Sequence, residues 1–422
     1  MLTPQGYRPR LVDDRIESLL RSFGGVAVEG AKWCGKTWTS LNHAASVYYV
    51  GDPADNFQNR RVATLDVSRA LDGETPHLVD EWQEVPGLWD ATRFAIDRRA
   101  AKGCFLLTGS SVPPRPATLH SGVGRIARVR MRPMSLVESG ASTGTVSLAA
   151  LFDGILGRDD RRTTLDEIVR LVCVGGWPGA LDLDDADAQD VARQYIAVTA
   201  DVDMRRLDGV NRAPARTWRL LASLARNTMT QASNKTLIKD LVGTGPFAER
   251  TLLNYLGALR RLFVIEDLPA WGPRLRSATR LRAAPKRHFV DPSLAVAALD
   301  ASPATLVNDL KTLGFMFENL VVRDLKTYAE NLNARVFHYR DDEGLEADAV
   351  VEGSDGRWAA FEIKLGVTEE DAAAASLIRL RDKLVARGQR APDCLAVIYG
   401  VGGYSYTRDD GVHVVPITAL GA

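Results

Sequence analysis

Short apolar runs alternate with amphipathic stretches from Arg10 to about Pro133. Residues 26–29, 47–50, 78–80, 105–108 and 126–131 have the length and composition of buried strands, and 37–44, 62–71 and 88–99 have helical period. Strands alternating with helices predict a parallel sheet covered on both faces. Beyond Ser139 the pattern turns helical, at 164–174, 187–207 and 216–228. A helical pair is predicted at 234–242 and 248–261 around the Gly243-Thr244-Gly245-Pro246 turn, with Leu252, Leu253, Leu256, Leu259 and Leu262 on one apolar face. A hairpin from 262–268 and 287–290 would follow, and helix, turn, helix, hairpin is a winged-helix pattern. From Leu313 the chain reads as a helix to 328, strands at 335–339, 346–351 and 358–364, a helix at 369–387 and a strand at 394–399.

A length of 422 residues calls for two or three domains. Lys plus Arg equals Asp plus Glu at 53 each, so affinity for nucleic acid or membrane must come from a local patch. Apolar runs fall short of a membrane span, the polar N-terminus lacks a signal-peptide core, and Cys34, Cys104, Cys173 and Cys394 form no C-x-x-C pair. These features predict a cytoplasmic protein without a membrane partner.

Candidate chemistry begins at Gly30-Ala31-Lys32-Trp33-Cys34-Gly35-Lys36-Thr37, which fits G-x-x-x-x-G-K-S/T between a predicted strand and a predicted helix. In such a loop, backbone N–H groups and the helix N-terminus cradle phosphates. Lys36 would pair with the β and γ oxygens of ATP and Thr37 would ligate Mg2+. Leu78-Val79-Asp80-Glu81 is a strand ending in two carboxylates: Asp80 would contact the metal and Glu81 would polarise the attacking water. Thr108, in Thr108-Gly109-Ser110, is placed to sense the γ-phosphate, or the segment is simply a turn. Arg125, chosen over Arg128 and Arg130, is the candidate to reach the transferred phosphoryl group in cis or from a neighbouring subunit. Cys34, near a helix N-terminus, is either an alkylation-sensitive thiol or an inert small residue.

A second constellation lies near the C-terminus. Glu362 and Lys364 share a strand face, and Asp348 on the preceding strand could approach them. Two carboxylates and a lysine suit Mg2+-assisted phosphodiester cleavage, with Glu318 as a third carboxylate, although alternating charge on an exposed strand is the ordinary alternative. Arg274, Arg276, Arg280, Arg282, Lys286 and Arg287 in the predicted wing, with Arg250, Asn254 and Arg261 on the second helix of the pair, could contact DNA phosphates or be solvated side chains.

Taken in order, these segments resemble a prokaryotic family of AAA-type ATPases with a C-terminal domain of unknown function. The resemblance rests on Gly30 to Thr37, Leu78 to Glu81, Thr108 to Ser110, Gly124-Arg125 leading into Met131 to Glu138, Gly175-Gly176-Trp177-Pro178, Phe289-Val290-Asp291-Pro292, and Phe317-Glu318, Asp348 and Glu362-x-Lys364. It implies an α/β fold class: a P-loop NTPase (AAA-like) parallel sheet, then a helical/winged-helix region, then a restriction-endonuclease-like PD-(D/E)xK domain. The expected domains are 1–140, 141–212 (a helical connector), 213–292 (winged-helix-like) and 293–422 (nuclease-like). The expected cofactors are ATP and Mg2+, and the expected partners are DNA, further copies of the chain, or an antitoxin-like protein. The leading expectation is an ATPase coupled to its C-terminal domains. Its competitors are an ATP-gated nuclease and an ATP-dependent switch, of toxin–antitoxin type or otherwise, whose last domain only docks a partner.

Overall fold

A computed structural model of the chain describes residues 1–112, 120–241, 247–274, 280 and 283–422. The Gly243 to Pro246 turn, Arg276 and Arg282 lie outside the described residues. The chain forms two compact units: one comprises Met1–Pro133, Val202–Asn211 and Gly257–Val264, the other Met134–Asp201, Arg212–Leu256 and Ile265–Ala422.

In the first unit, β1 (Gly25–Gly30), β2 (Ser46–Tyr49), β3 (His77–Asp80), β4 (Phe105–Gly109) and β5 (Ile126–Met131) form a sheet of order β2-β3-β4-β1-β5. Every pairing is parallel. Such sheets are apolar on both faces, and β4 is buried along its whole length. Trp82 and Trp89, with ring centroids 4.9 Å apart, anchor a core that includes Ala27, Val79, Phe105 and Leu107. Register fixes the working edge. Glu29 lies opposite Gly109, Gly30 opposite Met131 and Tyr49 opposite Asp80, so the loop after β1 and the acidic tip of β3 emerge at the same, C-terminal edge. The chain leaves β1 for β2 on one side and leaves β4 for β5 on the other, the change of direction at which sheets of this kind take ligands.

The expected helix at 62–71 is instead Ala54–Leu65 followed by a 3-10 turn, Val67–Leu71. Asp66 separates them by accepting the Ser68 N–H, a local bond that competes with helix continuation. The expected helix at 187–207 likewise divides into Asp185–Val198, a π-helical turn Thr199–Asp203 and Met204–Arg206.

The second unit has a six-stranded mixed sheet. In spatial order its strands are Tyr406–Thr407, His413–Pro416, Cys394–Val401, Trp358–Gly366, Glu346–Gly353 and Ala334–Arg340. Helix Glu370–Ala386 covers one face, packing Ala373, Leu377 and Leu380 on Trp358, Ala360 and Val397. Helix Leu310–Asn331 is buried along most of its length. Helices Pro214–Arg226 and Asn234–Asp240 precede an antiparallel ladder of Ile265–Leu268 with Lys286–Phe289. Leu253 of helix Glu249–Arg261, expected on its apolar face, is 51% exposed, whereas Leu252 and Leu256 are buried.

A buried ionic knot ties this unit together. Arg323 bonds Asp291 and Asp324, each at 2.7 Å. Asp291 also accepts the Gly176 N–H and Asp324 the Leu136 N–H. Gly175 has φ 74°, and a Cβ on Gly176 would lie 2.0 Å from the Met134 carbonyl, so both glycines of the Gly-Gly-Trp-Pro turn are required by space or backbone angle.

Candidate functional site

The loop from Gly30 to Lys36 is shaped from behind. A Cβ on Gly30 would lie 2.0 Å from the Met131 carbonyl of β5, so only glycine fits. Trp33 (φ 66°) and Gly35 (φ 100°) take left-handed backbone, which turns the chain before helix α1 (Lys36–His43). Trp33 is 57% exposed at the tip. Arg10, itself buried, donates to the carbonyls of Cys34 and Arg132, each at 2.8 Å, and so pins the underside of the loop to the segment following β5. Lys32 pairs with Asp203 at 2.6 Å. Neither Arg10 nor Asp203 was singled out from the sequence. Arg10, two residues after Arg8 in a polar N-terminal segment, carries no local sign of this role.

Lys36 is buried and donates to the Ala31 carbonyl at 2.7 Å, lying along the inside of the loop. The Thr37 hydroxyl donates to Asp80 Oδ1 at 2.8 Å, and the Thr108 hydroxyl donates to the same oxygen at 2.6 Å. Burial raises the Asp80 carboxyl above its ordinary range, against the opposing pull of both hydroxyls and Lys36. Two hard oxygen donors beside a carboxyl that is costly to desolvate alone fit a magnesium ion.

Glu81 has φ 58°, and its N–H donates to Thr108 Oγ1 at 3.0 Å. Its carboxylate accepts from Ser110 Oγ at 3.0 Å and from the Gln83 amide. Thr108 therefore braces Asp80 and the Glu81 backbone. Of the two groups that orient the Glu81 side chain, Ser110 closes the Thr108-Gly109-Ser110 segment read from the sequence, and Gln83, two residues beyond Glu81, carried no prediction.

Two expectations for this region change. Arg125 immediately precedes Ile126, which pairs with Gly25 at the N-terminal edge of the sheet, opposite the phosphate loop. It is bound to Asp97 at 2.8 Å and, as packed, lies away from its own chain's loop. Arg128 pairs with Glu29 at 2.5 Å, and the Arg130 guanidinium stacks 4.1 Å from the Phe263 ring centre. Cys34 is fully buried with Sγ 3.6 Å from the Met131 carbonyl, which denies access to an alkylating reagent and leaves the inert alternative.

In the second unit Glu318, Asp348, Glu362 and Lys364 do converge, and Lys286 joins them. Lys286 Nζ lies 2.7 Å from Glu318 and 3.7 Å from Asp348; Lys364 Nζ lies 2.7 Å from Glu362 and 3.6 Å from Asp348. Strand pairing slips between Ala347 and Val350, and this irregularity presents Asp348 to the Ile363 N–H at 2.8 Å. Burial first, and Asp348 second, push Glu362 up to about 8. Burial pushes Glu318 up to about 7. Burial alone would raise Asp348 too, but Lys286 and Lys364 hold it below the usual range. A cavity of about 560 Å³ opens beside the cluster, lined by Asp348, Glu362, Lys364, Arg379 and Lys383 among others. Among the described residues no group of three His, Cys, Asp or Glu side chains is arranged to hold a metal ion. The expected magnesium site is thus, as packed, three carboxyl groups paired with two ammonium groups.

The predicted basic wing is not one solvated stripe. Lys286 is buried, Arg280 bonds Glu352 at 2.6 Å, Arg287 donates to the Ala232 carbonyl and Asn234, and Arg261 bonds Asp208. Arg250 and Arg274 are exposed. No helix among the described residues is long and apolar enough to cross a membrane.

Three stretches of the chain match models of known domain families. Residues 23–139 match the model of an AAA domain, 165–305 that of a domain of unknown function (DUF8612), and 313–420 that of another (DUF4143). Uncharacterized proteins of Mycobacterium bovis (Mb2031c) and Mycobacterium tuberculosis (Rv2008c) are each 27% identical over 410 residues, spanning 95% of this chain and 82% of theirs. Among solved structures, the Walker-type ATPase PABY2304 of Pyrococcus abyssi is similar at a TM-score of 0.43 and 16% identity, over 71% of this chain and 99% of its own. The replication initiator DnaA bound to AMPPCP and single-stranded DNA reaches a TM-score of 0.28 at 10% identity, over 59% of this chain and 86% of its own. With the parallel sheet and the glycine-bent loop already described, the family matches identify an AAA-type P-loop domain in the N-terminal part of this chain and a DUF4143 domain at its C-terminal end.

Proposed function

We propose that the protein binds ATP with Mg2+ at the C-terminal edge of the first sheet and hydrolyses it there, using the cycle to rearrange its C-terminal region. The observation that carries this reading is the contact of Thr37 with Asp80 at 2.8 Å, which joins the phosphate loop to the acidic strand tip. Gly30, Ala31, Lys32, Trp33, Cys34 and Gly35 supply the loop backbone, and Lys36 supplies positive charge to the phosphates. Thr37 and Asp80 would hold Mg2+, which when bound would withdraw charge from the phosphates. Glu81, in a strained backbone conformation and gripped by Ser110 and Gln83, orients and deprotonates the attacking water. Thr108 keeps Asp80 and Glu81 in register. An arginine acting on the transferred group comes from elsewhere than Arg125 of the same chain, and a neighbouring copy's Arg125 supplying it would require an oligomer.

The proposed layout keeps a nucleotide-binding segment at 1–140, a connector at 141–212, a winged-helix-like segment at 213–292 and the last α/β domain at 293–422. DNA is the proposed partner of the winged-helix-like segment through exposed Arg250 and Arg274, and the proposed location is the cytoplasm. For the last domain, the lysine-neutralised carboxylates favour docking of a partner over cleavage.

The test pairs Lys36→Ala with Glu81→Gln. The first should lose ATP binding and turnover, and the second should bind ATP while turnover falls by roughly 10²-fold or more. Unchanged hydrolysis in Lys36→Ala would refute the site. Nicking of supercoiled plasmid that Lys364→Ala abolishes would replace the docking reading with a nuclease.

A further inference from the structure

The convergence of Glu318, Asp348, Glu362 and Lys364 invites a metal ion, but the structure has filled that place from within the chain. Lys286 belongs to the strand Lys286–Phe289, remote in sequence from all three carboxylates. Its side chain is buried, and its ammonium sits between Glu318 at 2.7 Å and Asp348 at 3.7 Å. A divalent cation bridging those two carboxylates needs oxygens at about 2.0–2.6 Å, so it would have to occupy the volume of Lys286 Nζ. The other side of Asp348 is taken by Lys364 and the Ile363 N–H.

We infer that Lys286 is a built-in cation that substitutes for a divalent metal in this cluster and keeps the C-terminal site closed to Mg2+ and Mn2+. The physical logic is substitution of one buried positive charge for another. Glu318 and Asp348 are too buried to stay ionised without a counter-charge. An ammonium tethered to the adjacent ladder supplies it permanently, without the loss of freedom that a free ion would suffer on binding. The strand bearing Lys286 also pairs with Ile265–Leu268, which fixes the backbone from which its side chain reaches the carboxylates. A partner or conformational step that shifted this strand would expose a divalent site that the packed form conceals. The inference concerns only the second unit and stands whether or not the first hydrolyses ATP.

The experiment uses the full chain without nucleotide and follows thermal unfolding while Mn2+ is titrated. In the wild type, Mn2+ should give no stabilisation that Asp348→Asn abolishes. Lys286→Met takes the ammonium from Glu318 and leaves Asp348 only that of Lys364, so its melting temperature should fall and be restored saturably by Mn2+. The double variant K286M/E318Q removes one carboxylate with the lysine and should fold without metal and lose most of the Mn2+ response. Should Lys286→Met fold only when refolded with Mn2+, that rescue supports the inference. An Asp348-dependent Mn2+ shift in the wild type equal to that of Lys286→Met would overturn it. So would a Lys286→Met protein that Mn2+ neither stabilises nor rescues while the double variant folds.

Discussion

The Thr37 hydroxyl donates to Asp80 Oδ1 at 2.8 Å, across a separation of 43 residues in the chain. The bond joins the first turn of α1 to the tip of β3. It exists because β3 runs parallel to its neighbours and ends on the same edge of the sheet as β1. Thr108 closes the arrangement from β4 by donating to the same oxygen.

Asp80→Asn removes the charge that a dipositive ion needs while keeping the shape of the side chain. ATP affinity measured without Mg2+ should stay close to that of the wild type, and the enhancement by Mg2+ should fall by about tenfold or more, roughly 1.4 kcal/mol. Equal Mg2+ enhancement in both proteins would remove Asp80 from the metal.

Arg10→Met deletes two charged hydrogen bonds from beneath the loop. Each bond of this type contributes about 1.5–3 kcal/mol, so melting temperature and ATP affinity should both fall. Arg10→Lys should recover little of either, because an ammonium cannot fork between the Cys34 and Arg132 carbonyls. Wild-type affinity in Arg10→Met would show that the loop holds its shape unaided.

Asp291→Ala leaves Arg323 buried with half its counter-charge and frees the Gly176 N–H. A loss of about 3–5 kcal/mol is expected, the range for breaking a buried ion pair from one side. Chemical denaturation reads it directly, and a change below about 1 kcal/mol would contradict the ionic knot.

Glu362 gives a pH test. Its folded carboxyl is raised to about 8 from an ordinary value of 4.5, so the folded state binds the proton more tightly than the unfolded one. Its contribution to stability is therefore fully present below pH 4.5 and is lost as pH rises through 8. Glu362→Gln should lessen the loss of stability between pH 5 and 8 relative to the wild type, as followed by melting temperature. Parallel profiles for the two proteins would contradict the raised carboxyl.

Much of the first unit was legible in sequence because its signals are local. The glycines, Lys36 and Thr37 are contiguous, each strand is a short apolar run, and Asp80 and Glu81 stand at the end of one. The helix breaks at Asp66 and after Val198 were less legible. They depend on a side-chain bond and a change of helical pitch that hydrophobic period does not record.

The sequence by itself determined the alternation of strands and helices, the glycine-bent loop after the first strand and the mixed strands and helices near the C-terminus, since these follow from backbone preference and periodic burial. Only the tertiary structure decided which charges meet. Parallel register put Arg125 at the edge of the sheet away from the loop, Arg10 came under it from the N-terminus, and ladder pairing carried Lys286 into the carboxylates of the last domain. Register and burial are properties of pairings between segments far apart in the chain. A charged residue gives no local sign of whether it will face water, a phosphate or another buried charge.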